Sequence, residues 1–320
     1  KQGFVNLNVK EKPIPQCDTI NHVIHYAMLE LLLKKGLREF GVKGKEVAMK
    51  EMQQHHDIST FKPVHANDLT QDEKRKALRS LIFLKQKPNG DVKGRSCADG
   101  RPQQETMTKD KTTSLTVMNK NVFITACIDA HKECDAATVN VPGAFLHTHV
   151  DPEDDTVHMI LQGVLAELMV KVDPKLYHKY VIYDSKGRMI LYIEMQKALY
   201  GMLKSALLFY KKLVGDLEGA RFKLNPYNLC VANKIINGTQ MTVIWHVDNL
   251  KISHKNPEVV TKVIKYLDSI YPGVKVKCGK HHKYLGMDFD FATKGQVAVG
   301  MTNYMIRVIR EFPEDLGNAT

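Results

Sequence analysis

The stretch TVIWHVDNLKISH, Thr242 to His254, constrains the fold more than any other part of the chain. An apolar run rises to Asp248-Asn249 and turns back into Leu250-Lys251-Ile252, the pattern of a buried hairpin with an acid at its tip. Such a tip is a place to hold a metal ion. A two-metal site wants two adjacent acids there, and the second position is Asn249. Three readings stand at this point: a metal-holding hairpin that works, one that has lost an acid, and an ordinary strand turn.

The surroundings narrow the choice. Apolar positions at helical spacing predict a helix over Ile20 to Phe40 and a second over Lys45 to His56. Thr70-Gln71-Asp72-Glu73 reads as a capping box that opens a helix. Two strand-like runs flank Pro88-Asn89-Gly90, a hairpin turn signal, and carry Lys85, Lys87, Lys93, Arg95 and Arg101. A twisted basic hairpin can lay cations along a phosphate chain, and lysine also serves to blunt an edge strand. A helix is expected over about 114–131, a strand from Cys134 to Val141 broken at Pro142-Gly143, and a helical start at Ala144-Phe145-Leu146. The runs VHMILQG and KYVIYDSKGRMILYIEM read as strands, and KALYGMLKSALLFYKKLVGDLEGA as a long amphipathic helix introduced by Tyr200-Gly201. After the opening hairpin come a helix from Pro257 to Tyr271, strands in VKVKCGKHHKYLGMDFDF, and a strand and helix over 295–312. Helices alternating with antiparallel hairpins predict an α+β fold.

Composition excludes some classes. At 320 residues, 43% hydrophobic and 25% charged, the chain suits one large domain or a few subdomains. A net charge of +11 favours a polyanionic partner, nucleic acid or an anionic surface. No apolar run approaches the ~20 residues of a membrane span, and KQGFVNLNVK is not a signal peptide. The start at Lys1 without methionine is that of a fragment or processed product. Six widely spaced cysteines, Cys17, Cys97, Cys127, Cys134, Cys230 and Cys278, read as reduced thiols of an intracellular protein. Cys278 with His281 and His282 lacks a second pair at zinc-finger spacing, and His55/His56 and His147/His149 read as surface histidines.

Polymerases join a 3′-hydroxyl to a nucleoside triphosphate across two Mg²⁺ ions about 3.5–4 Å apart. Mg²⁺ takes oxygen ligands, so acids must converge from two strands. The candidates are the strand end at 139–141 and the tip at 248–249. Around them the wording VPGAFLH, KALYGMLKSALLFYKKL, WHVDNLKISH, KYLGMDFDF and VKGRSCADGRPQ, each in its place from Gly44 to Phe312, resembles the reverse transcriptase domain of Ty1/copia-type retrotransposons. The resemblance implies a right-hand polymerase fold, with an N-terminal helical segment over 1–43 and fingers over 44–120, the basic hairpin at 81–101 among them. The palm follows over 121–290, with fingers insertions, and the start of a thumb over 291–320. It implies an RNA-directed DNA polymerase acting on an RNA or DNA template-primer and a deoxynucleotide triphosphate, with Mg²⁺ or Mn²⁺ as cofactor and no membrane partner. Asp248 then matches a metal-binding aspartate and Val141 a residue whose carbonyl joins the metal shell. Phe145 matches the aromatic under the sugar, and Arg95 with Lys93 the triphosphate-binding bases. Gly201 matches a point of close backbone approach to template or nucleotide, and 284–287 the grip on the primer end.

Two departures fall on the metal-binding positions. Asn140 stands where the family has the first motif's aspartate, and Asn249 where it has the second hairpin aspartate. His246 replaces an aromatic, and Ser205-Ala206-Leu207 replaces the commoner Gln-Ala-Pro-Arg wording. An amide is neutral and cannot bridge two cations. At ~4 Å and an effective dielectric of ~20, each lost charge removes roughly 4 kcal/mol of attraction per unit of cation charge. Even heavily discounted, that is a thousandfold or more in rate, at ~1.4 kcal/mol per tenfold. Asp135 lies an odd number of positions from Asn140 and points to the other face, and Asp151, Glu153, Asp154 and Asp155 follow the strand break, so neither group is expected to substitute. The expectation is a reverse-transcriptase fold with weak or no polymerase activity. A silent nucleic-acid-binding module and a protein scaffold are the alternatives, separable by salt dependence.

Overall fold

The computed structural model describes residues 31–87, 89–105, 107–108, 112–150 and 156–311. The expected first half of the Ile20–Phe40 helix, Pro88, Cys17 and the acids at 151–155 lie outside the described residues.

Strand β1 (Leu31–Leu32) leads into helix α1 (Leu33–Asp57), followed by β2 (Phe61–Val64), α2 (Gln71–Lys76), β3 (Leu78–Gln86) and β4 (Val92–Ala98). Helix α3 (Asn119–His131) precedes β5 (Asp135–Asn140), and a 3₁₀ turn covers Ala144–His147. Next come β6 (His158–Gln162), α4 (Val164–Val172), α5 (Pro174–Tyr177), β7 (Ile182–Tyr183), β8 (Met189–Met195) and α6 (Ser205–Gly219). The remainder is β9 (Lys223–Asn225), β10 (Asn228–Ile236), β11 (Thr239–His246), β12 (Asn249–His254), α7 (Pro257–Ile270), β13 (Lys275–Cys278), β14 (His281–Tyr284), β15 (Met287–Asp290), β16 (Ala298–Gly300) and α8 (Thr302–Glu311). The class is α+β, as the alternation of helices and hairpins predicts. No helix among the described residues is long and apolar enough to cross a membrane.

The described residues divide into two units, 31–114 with 143–214, and 115–142 with 215–311. In the first, β1, β3, β6, β8 and β2 form a sheet in that order, with β4 on β3 and β7 on β8. Leu78, Ile82 and Leu84 of β3 pack with Ala48 and Met52 of α1 and with Met159, Leu161, Met169 and Ile193. Gly36 lets α1 approach β3, since a Cβ there would lie 2.9 Å from the Leu84 side chain. The two helices expected before residue 57 meet within α1 at Gly41, whose φ of 51° and ψ of −122° are not helical. Thr70 and Glu73 make both bonds of the expected capping box.

His55 corrects the surface reading of that pair. It is 4% exposed, its Nδ1 meets Thr60 Oγ1 at 3.1 Å, and its Nε2 has no hydrogen-bond partner among the described residues. Burial holds its pKa down to about 4 from 6.5, so the folded unit refuses a proton that the unfolded chain accepts. This support is complete above pH 6.5 and is lost as the pH falls toward 4, by up to about 3 kcal/mol. Urea unfolding across that range checks it, and a His55→Gln variant is expected to lack this part of the drop.

In the second unit the sheet order is β13-β5-β12-β11-β10-β9, antiparallel throughout, and β14-β15-β16 form a smaller sheet. Ala137, Val139, Met241, Val243, Trp245, Leu250 and Ile252 of the large sheet are all at most 2% exposed. Helix α7 packs on β5 and β12 through its apolar face, which includes Val260 and Leu267. Helix α3 meets the sheet through a buried ion pair, Asp129 to Lys251 of β12, with Thr125 Oγ1 3.4 Å from the same ammonium.

Candidate functional site

The hairpin read from TVIWHVDNLKISH is present, and its turn is tight. His246 pairs with Asn249, leaving Val247-Asp248 as a two-residue turn. Val247 has φ of 54° and Asp248 is not left-handed, the pattern of a type II′ turn, which prefers glycine at the first place. A β-branched residue there stores roughly 1–3 kcal/mol of strain. Val247→Gly is expected to stabilise the protein by about 1 kcal/mol, after the entropic cost of glycine, in a denaturant titration.

Sheet pairing assembles the rest. Asn249 lies opposite Asn140 of β5, and Lys275 of β13 lies opposite Asn140 on its other side. Directly opposed residues share a face, so His246, Asn249, Asn140 and Lys275 form one polar row across the strands. Asp248 projects into this row. Asn249 Nδ2 donates to its Oδ1 at 2.8 Å, and Asn140 Nδ2 donates to its Oδ2 at 3.4 Å and to Asn249 Oδ1 at 3.1 Å. The Val141 amide donates to the Asp248 carbonyl at 2.9 Å, tying strand end to turn. Tyr284 Oη donates to the Asn249 carbonyl at 3.2 Å, and burial pushes that phenol far up. The residues singled out at 140, 141, 248 and 249 therefore do converge. Lys275 and Tyr284's bond are additions, visible only once β13 and β14 are in register.

A pair of Mg²⁺ ions needs carboxylates that bridge. One carboxylate is present, and both of its oxygens already accept amide hydrogens. The amide groups aim their positive ends where a cation would have to sit. Among the described residues no group of three or more His, Cys, Asp or Glu side chains comes together to hold a metal. The donor set does not fit a two-metal centre. Asp135, at the far end of β5 opposite His254, is remote from the row.

Arg95, Lys93, Phe145 and Gly201 belong to the other unit. Lys93 lies across β4 and β3 from Lys85, two like charges directly opposed, an arrangement that costs stability unless an anion lies over it. The Arg95 guanidinium sits 5.3 Å above the Tyr200 ring, and the Tyr200 ring meets that of Phe145 at 4.4 Å between centroids, tilted by 54°; Phe145 is 7% exposed. Tyr200 thus links two residues that the family resemblance had singled out separately. Gly201, at φ 90°, approaches the chain's own β4: a Cβ on it would lie 1.9 Å from the Ala98 carbonyl oxygen, and the Ala98 amide donates to the Tyr200 carbonyl at 2.7 Å. Its requirement for glycine is met inside the fold, without template or nucleotide.

No protein-family model and no curated protein matches the chain. Among solved structures it is similar to the apo telomerase of Candida tropicalis, at 11% identity and a TM-score of 0.42 over 79% of this chain and 52% of that one. It is also similar to the protease–reverse transcriptase of prototype foamy virus, at 17% identity and a TM-score of 0.38, over 76% of this chain and 25% of that one. The telomerase of Candida albicans, with a fragment of telomeric RNA, is similar at 7% identity and a TM-score of 0.39, again over 79% and 52%. The chain spans about half the length of the telomerase chains and a quarter of the viral one.

His281 pairs through Nδ1 with Asp290 at 3.2 Å, and His282 contacts the Gly279 carbonyl at 2.8 Å. Both rings have partners other than Cys278.

Proposed function

We propose that the chain is the reverse transcriptase domain of a copia-type retrotransposon in which an amide cluster has replaced the metal centre, leaving a domain that binds nucleic acid and extends primers very slowly or not at all. The observation that carries this reading is the convergence of Asn140, Asp248 and Asn249 at a strand end and a hairpin tip, with amides where a polymerase needs carboxylates. Shape is kept and charge is lost. The motif order from Gly44 to Phe312 supports fingers over 44–120 and a palm with fingers insertions over 121–290.

The remaining chemistry is recognition. Lys93, Lys85 and Arg95 have no acidic partner among the described residues, and they suit phosphate oxygens of a template-primer or a triphosphate. Arg95 is pre-oriented by the Tyr200 ring, so less freedom is lost on binding. Mg²⁺ or Mn²⁺ would have Asp248 as its one acidic ligand, in competition with the amide hydrogens that it now accepts.

Salt-dependent binding of a primer–template duplex tests the reading. The log affinity is expected to fall linearly with log salt, and Arg95→Ala and Lys93→Ala are each expected to reduce the slope by about 0.9. A chain with no salt-dependent affinity would instead be a scaffold that keeps the fold for protein contacts.

A further inference from the structure

Away from the hairpin, two adjoining recesses lie in the unit of residues 31–114 and 143–214. The first, of about 630 Å³, carries Arg75, Lys76, Arg79 and Arg101 against Asp99 and Glu105. Arg75 and Lys76 rest on Asp72 at 2.8 and 2.6 Å, and Arg101 forks onto Asp99. The Arg79 guanidinium is exposed and has no ion-pair partner among the described residues. The second recess, of about 370 Å³, shares Lys76 and Pro102 with the first. Leu78, Pro102, Met107 and Val157 form an apolar wall, Gln103, Thr156 and His158 a polar one, and Asp72 and Glu73 line it while bound to Arg75, Lys76 and Thr70. His158 is 7% exposed, and apart from the field of Glu73 its ring has no hydrogen-bond partner among the described residues.

A buried imidazole with unused ring nitrogens, with an apolar wall on one side and the polar Gln103 and Thr156 on the other, suits a flat heteroaromatic ring with polar edges. A cluster of arginines next to it suits a phosphate attached to that ring by a short spacer. The two together describe a nucleotide, and both volumes lie in the about 300–1,000 Å³ range of small-ligand pockets. In a duplex the base is paired and stacked, so only an unpaired strand offers it. We propose that this bipartite recess holds one unpaired nucleotide of a bound strand, its base against Leu78, Val157 and His158 and its phosphate on Arg79 and Arg75. The proposal rests on the nucleic-acid reading above and adds a subsite that is separate from Lys93 and Arg95.

Fluorescence anisotropy with a twelve-nucleotide single strand, the same strand carrying one abasic site in every three, and a blunt duplex tests it. Arg79→Ala, at an exposed position, is expected to weaken single-strand binding about tenfold, to reduce its salt slope by about 0.7 and to leave the blunt duplex unchanged. His158→Gln, checked by thermal unfolding, is expected to weaken the intact strand about threefold and the abasic strand less. Arg95→Ala is expected to weaken both strand and duplex. If Arg95→Ala weakens binding while Arg79→Ala and His158→Gln do not, or if these two weaken duplex and single strand alike, the recess is not a nucleotide subsite. If the unaltered chain binds neither substrate, the nucleic-acid reading fails and this inference fails with it.

Discussion

Replacing Asn140 and Asn249 together with aspartate is expected to raise Mg²⁺-dependent primer extension by about a thousandfold or more. The positions already face each other across β5 and β12, with Asp248 between them, so the exchange alters charge at nearly constant shape. Each substitution also removes N–H groups that now hold Asp248, three carboxylates then face one another, and their repulsion is relieved only by cations. Two results should therefore appear together. The double variant should melt lower than the parent in chelator and should gain several degrees on adding Mg²⁺, as linkage requires of a ligand that binds only the folded state. The parent should show no Mg²⁺-linked shift. Either single repair should recover much less than its share of the rate, because both ions depend on the same bridging set. Equal extension rates for parent and double variant would show that the amide cluster is not what limits the chemistry.

Lys251→Met is expected to destabilise the protein by roughly 3–5 kcal/mol, the cost of leaving a buried charge without its partner. Lys251 and Asp129 are 3% and 4% exposed, and among the described residues Thr125 is the other side chain hydrogen-bonded to the ammonium. The double variant Lys251→Met/Asp129→Leu should recover most of that loss, since two well-packed apolar groups often do as well as a buried pair. Lys251 sits two residues beyond Asn249 on the same face of β12, so it also anchors the site row. Chemical denaturation of the two variants separates the cost of the orphaned charge from the worth of the pair. A loss equal in both would mean that packing, not charge, dominates at this position.

Much of this was legible in the sequence because the signals were local. The capping box at Thr70 and the chain order of most elements follow from short-range patterns, and so does the hairpin, although its turn falls at Val247-Asp248, one residue before the tip read at 248–249. Helix α4 was not visible. Leu165, Ala166, Leu168 and Met169 do share one buried face, but the helix has nine residues and begins directly behind a strand, after Gly163 at φ 58°, so its stripe is too short to stand out. Strand β10 was hidden for another reason: it is interrupted by a register shift between Asn228 and Ala232 against β9, which blurs the alternation. At the site, the acids and amides were readable as motif positions, whereas Lys275 and Tyr200 depend on long-range pairing that no spacing encodes. The burial of His55 did have a signal, since it lies three residues after Met52 and seven after Ala48 on the buried face of α1, whereas its contact with Phe61 depends on the chain beyond the helix.

The close approach at Gly201 has a mechanical consequence. Ala98 and Tyr200 share a backbone bond of 2.7 Å, and a Cβ on Gly100 would lie 2.0 Å from the Gly201 carbonyl oxygen, so two loops are clamped main chain to main chain. Side chains usually cushion such junctions and let them slide. Here no cushion exists, and β4 and the loop that carries Tyr200 must travel as one lever. Any load on Arg95 is therefore passed through β4 to the Tyr200 ring and to Phe145 in contact with it, so the aromatic pair moves with the basic hairpin.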